Sequence, residues 1–112
     1  MVKVKKIVLV TADHHPYHKL WEKMAETLSK TLGVELEVRK EDYVYLVEYG
    51  DKDEYGMSWL PQILAELDDG RVQWLLSQLP LNSSLQPDEE TAQKIMLDKL
   101  RELGVELPLQ TQ

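Results

Sequence analysis

All three histidines of the chain fall within five residues, at His14, His15 and His18, in the stretch Asp13-His14-His15-Pro16-Tyr17-His18. Neutral imidazole and carboxylate are the ligand types that hold borderline metal ions. Histidines at i and i+3 beside a helix start could aim two ring nitrogens at one ion, with His14 or Asp13 as a third ligand. Three protein ligands and a water would suit zinc, nickel or copper. The positive end of a helix disfavours imidazolium and keeps nitrogen lone pairs available, but the same field opposes a cation. A simpler reading has His15 capping the helix, His18 packed at the margin of its apolar stripe near Ala25, and His14 solvated. Either His15 or His18 could act as a general base near neutral pH. Thr11 precedes the turn without a defined partner, however, and no oxyanion site can be located, so no catalytic residue is assigned.

Composition narrows the chemistry further. The 112 residues contain no cysteine, which excludes thiolate catalysis, disulfide exchange, cysteine-held zinc and iron–sulfur clusters. A formal net charge of −7 leaves no basic patch able to track a phosphate backbone, so nucleic acid is not an expected partner. "MVKVKKIVLV" starts basic and turns apolar like a leader, but its apolar run is short and "DHH" follows at once. No stretch approaches the roughly 20 apolar residues that span a bilayer. The expectation is a soluble cytoplasmic protein of one domain, residues 1–112, with 104–112 as a short C-terminal tail.

The elements that must position the histidines are legible on either side of them. "KIVLVTA", residues 6–12, is a continuous β-branched run, as in a strand covered on both faces. Pro16 suits the first helical position, making His15 the N-cap. From there Tyr17, Leu20, Trp21, Met24, Ala25, Leu28 and Leu32 share one helical face, and Gly33 supplies a left-handed cap. "VELEV", residues 34–38, alternates as a second strand, parallel to the first after a right-handed crossover. Residues 41–49 hold tyrosine and valine enough for a strand, but the return of the chain across the sheet favours a short helix. "PQILAEL" and "RVQWLLS" flank Asp69-Gly70, whose positive φ angles would make a hairpin turn. "DEETAQKIMLDKLRELG" is a last amphipathic helix with Ala92, Ile95, Met96, Leu100 and Leu103 inward and Gly104 at its exit. "LGVEL" occurs at 32–36 and again at 103–107, read as the same helix exit used twice.

Two tetrapeptides in this order of elements resemble known landmarks. His15-Pro16-Tyr17-His18 stands where glutaredoxins carry Cys-Pro-Tyr-Cys, and Leu60-Pro61-Gln62-Ile63 stands where they carry a hydrophobic residue before Pro-Gln-Ile. Over about residues 5–103 the chain is therefore similar to the glutaredoxin type of the thioredoxin-like fold. The resemblance implies an α/β sandwich of order β-α-β-(α)-β-β-α around a central mixed four-stranded sheet, with Leu60-Pro61 cis and facing the helix start. Glutaredoxin redox chemistry does not carry over, because exchange needs an attacking and a leaving thiolate. "SQLPLNSSLQP" also replaces the glycine-rich turn and aspartate of the family's glutathione site.

Two functional expectations follow. One is a non-redox module that holds a protein or peptide in a groove formed by His15, Tyr17, His18, Trp59, Leu60 and Pro61, with Trp59 as a stiff anchor. The other is a metal-binding protein using Asp13, His14, His15 and His18; the first needs no cofactor. Trp21 and Trp74 are expected in the core or on a sheet face. Edge strands leave homodimerisation open.

Overall fold

The computed structural model describes residues 2–108; the end of the expected tail, 109–112, lies outside them. The elements are β1 (Val4–Thr11), α1 (His18–Leu32), β2 (Glu35–Lys40), α2 (Tyr43–Tyr49), β3 (Gln62–Leu67), β4 (Val72–Leu76) and α3 (Glu89–Glu102). The strands form one mixed sheet of order β2-β1-β3-β4, with β1 parallel to β2 and antiparallel to β3, and β3 antiparallel to β4. The chain is thus α/β, and residues 41–49 contribute a helix. Among the described residues no helix is long and apolar enough to cross a membrane.

The unbroken apolar run of β1 is explained by two cores. Ile7 and Leu9 point to one face, where they meet Trp21, Met24 and Leu28 of α1 and Met96 and Leu100 of α3. Val8 and Val10 point to the other, where Leu64, Tyr45 and Leu46 cover them. Strand side chains alternate between faces, so a strand with helices on both sides is apolar throughout. The second face also carries ionic groups: Lys6 of β1 pairs with Glu37 of β2 and lies 3.7 Å from Glu66 of β3, which accepts a 2.9 Å hydrogen bond from the Tyr45 hydroxyl of α2.

The repeated "LGVEL" is one device used twice. Gly33 and Gly104 adopt φ of 70° and 77°, and the following valines, Val34 and Val105, donate back to the Ser29 and Leu100 carbonyls. Left-handed glycine lets each chain leave its helix while satisfying terminal carbonyls.

Four local expectations are corrected. Helix α1 begins at His18 with Tyr17 at its N-cap, not His15, because residues 12–17 first make tighter turns, with His15 donating to the Ala12 carbonyl and His18 to that of His15. Tyr17 is consequently outside the helix and 48 % exposed, not part of the apolar face. Ile95 is 39 % exposed, since α3 meets the sheet mainly through Ala92, Met96 and Leu100. In the hairpin only Gly70 has positive φ, at 93°; its N–H donates to Leu67 O and Leu67 N–H donates to Arg71 O, so one glycine makes the turn without Asp69 leaving the ordinary region.

Candidate functional site

Strand register brings the two tetrapeptides to one place. Val10 of β1 is paired with Gln62 of β3, so the end of β1 and the start of β3 share one end of the central strands. The histidine turn follows the first and Leu60-Pro61 precedes the second. The Leu60-Pro61 bond is cis, Pro61 is buried, and Leu60 is half-buried. No hydrogen bond among the described residues uses the Leu60 N–H or C=O.

Each histidine has a different environment. His14 is exposed. His15 is half-buried, and its Nδ1 accepts the Tyr17 N–H at 3.1 Å. It therefore binds the amide an N-cap would bind, although the helix starts later. His18 is nearly enclosed, its side chain 12 % exposed. Its Nδ1 lies 3.1 Å from Thr11 Oγ1, and its Nε2 lies 3.5 Å from Asp13 Oδ1 and 4.0 Å from Glu22 Oε2.

Thr11 therefore does have a partner, contrary to the sequence expectation. Hydroxyl, imidazole and carboxylate stand in the order of a nucleophile relay. The surroundings argue for an anchor instead. Thr11 is fully buried, so its hydroxyl cannot meet a substrate carbonyl. Asp13 is shared with Lys40 of β2, whose ammonium hydrogen bond holds the Asp13 carboxyl below the ordinary carboxylate range. The chain Thr11–His18–Asp13–Lys40 ties the turn to the ends of β1 and β2.

Metal ligation makes different demands, namely convergent lone pairs. Among the described residues no group of three His, Asp or Glu side chains is placed to hold a metal ion. His15 spends one ring nitrogen on the Tyr17 amide, and both ring nitrogens of His18 face protein groups.

On the proline side the organising residue is Gln62, fully buried at the start of β3. Its Oε1 accepts Asp51 N–H at 2.8 Å, while Nε2 reaches the Trp59 carbonyl at 2.8 Å and the Asp51 carbonyl and Ser58 Oγ at 3.1 Å. Ser58 Oγ donates to the Asp51 carbonyl and Ser77 Oγ donates to the Asp51 carboxylate, each at 2.7 Å. Gly50 sits so close that an added Cβ would lie 2.8 Å from Leu46 O and 3.0 Å from Gln62 Oε1. One amide side chain thus gathers both ends of the loop between α2 and β3.

Trp59 is held in this network, half-buried, with its indole N–H donating to Ser77 O at 2.8 Å. It closes the loop and is less free to serve as an anchor than the sequence suggested. Tyr17, the other aromatic of the expected groove, is the open one. Asp51, Ser58, Gln62 and Ser77 were missed as organising residues. Gln62 carried a signal, a polar residue directly before the apolar run Ile63-Leu64-Ala65. No protein-family model, curated protein or solved structure matches the chain.

Proposed function

We propose that the protein is a non-redox, thioredoxin-like peptide-binding module whose site is the surface between the His15-Pro16-Tyr17-His18 turn and Leu60-Pro61. The element order and the sheet order β2-β1-β3-β4 support the resemblance. The observation that carries the reading is the register of β1 with β3, which sets the half-exposed Tyr17 ring and the unpartnered Leu60 peptide group at one end of the sheet. A free N–H and C=O at the same end of the sheet as an exposed aromatic would suit an extended chain, since the main chain supplies hydrogen bonds and the ring supplies apolar contact. The absence of cysteine makes the occupant a ligand held without covalent exchange.

The test selects linear peptides from a displayed library against the wild type and maps the binders by amide NMR shifts. Peptides that move the Leu60, His15 and Tyr17 signals, and bind Tyr17→Ala at least tenfold more weakly (~1.4 kcal/mol), support the reading. Binders that leave the Leu60 amide unmoved, or a selection yielding none, overturn it. Zinc, nickel or copper added at micromolar concentration in the same experiment is expected to leave the histidine signals in place; movement of His14, His15 and His18 together would favour the metal reading instead.

A further inference from the structure

On the opposite side of β4 from β3, a cleft of about 470 Å³ is lined by Asp51, Trp74, Leu79, Pro80, Ile95 and Lys99. Lys99, on α3, lays its ammonium nitrogen 2.9 Å from the centre of the Trp74 indole. Its situation differs from that of every other lysine. Lys3, Lys6, Lys23 and Lys40 each have a carboxylate within ion-pair distance. Lys5, Lys19, Lys30, Lys52 and Lys94 are exposed to water. Lys99 is half-buried and, among the described residues, has no carboxylate within that distance. A lysine removed from water without an anion to replace it loses stabilisation of its charged form.

The geometry points to Lys99 as a modification site, the lysine of this protein that reacts first with small activated acyl donors. Acylation needs the neutral amine: Nζ attacks the acyl carbonyl carbon, a C–N bond forms, the bond to the leaving group breaks with its electron pair on that group, and the Nζ proton passes to water. Nothing is oxidised or reduced. Burial lowers the Lys99 pKa, against smaller opposing effects of Asp51 across the cleft and Glu102 on α3. The indole face offsets part of the burial, and the net direction enlarges the neutral fraction near pH 7. The cleft leaves room for an acyl group beside Leu79, Pro80 and Ile95.

The test treats the folded protein with limiting N-acetoxysuccinimide and quantifies acetylation at each lysine by peptide mass spectrometry. Lys99 is expected to react several-fold faster than Lys94, an exposed lysine of the same helix, with the ratio greatest at pH 6–7 and shrinking toward pH 10 as both amines deprotonate. Equal or slower reaction at Lys99 overturns the proposal. Ile95→Asp supplies the missing partner, because Ile95 is exposed and one helical turn before Lys99; it should bring Lys99 down to the rate of Lys94. A Lys99 rate unchanged in that variant would overturn the assignment of reactivity to the unpaired, half-buried amine.

Discussion

Replacing Gln62 by Leu tests whether one buried amide holds the loop that carries Leu60-Pro61. Leucine keeps much of the volume and removes every polar atom of the side chain. Four contacts disappear, to Asp51 N–H, the Asp51 carbonyl, Ser58 Oγ and the Trp59 carbonyl. They are not equivalent. The Asp51 carbonyl keeps its bond from Ser58 Oγ, whereas Asp51 N–H and the Trp59 carbonyl lose the partner seen here. At about 1–3 kcal/mol for each polar group left unsatisfied, the two cost about 2–6 kcal/mol, and water entering the loosened loop draws the expectation toward the lower half, near 3 kcal/mol. For a domain of this size that is a fall in Tm of very roughly 10–20 °C. Urea unfolding followed by tryptophan fluorescence gives the free energy directly, with an unchanged m-value showing that compactness is not altered. Amide exchange should accelerate at Asp51 well before the sheet is affected. A loss under about 1 kcal/mol would refute the reasoning, because the loop would then be fixed by Pro61 and Trp59 packing with Gln62 a passenger.

Stability should fall with acid for an identifiable reason. The hydrogen bond from Lys6 holds the Glu37 carboxyl below its ordinary value of 4.5. A carboxylate depressed in the folded state contributes stability above the unfolded value and loses it as pH drops through the folded one. The urea midpoint should therefore decline below about pH 4.5, and Glu37→Gln should flatten that decline while lowering the plateau at pH 7; an identical acid profile in the variant would refute the assignment. At α3, the Asp88 carboxylate accepts the Thr91 N–H at 3.0 Å, so Asp88→Ala should cost about 1 kcal/mol in urea unfolding.

The order of elements and the coverage of β1 on both faces were readable from the chain because they depend on local periodicity. A run such as Ile7–Val10 has no polar face to expose, and the stripe Trp21, Met24, Ala25, Leu28 can be buried only as a helix. The repeated Gly-Val exit at 33–34 and 104–105 is equally local, since a left-handed cap is set by one residue without a Cβ. The placement of Leu60-Pro61 before β3 and of the histidine stretch between β1 and α1 was legible as well.

Which groups those residues bond was decided by the folded chain. His15 looked like a cap and is one for the Tyr17 amide, but tight turns moved the helix start to His18. Thr11 had no visible partner until the turn folded His18 back onto it. Gln62 collects groups 3 to 11 positions away and Ser77 reaches Asp51 across 26, separations at which neither propensity nor periodicity carries information. Nothing in the spacing of α3 singles out Lys99, and only the packing of that helix along β4 sets it over Trp74. Helices and strands follow from the spacing of side chains along one segment, whereas a hydrogen-bonded site or a desolvated amine follows from which segments the sheet order makes neighbours. Local spacing therefore sets the elements and most of their buried faces, and the sheet order sets which polar groups meet.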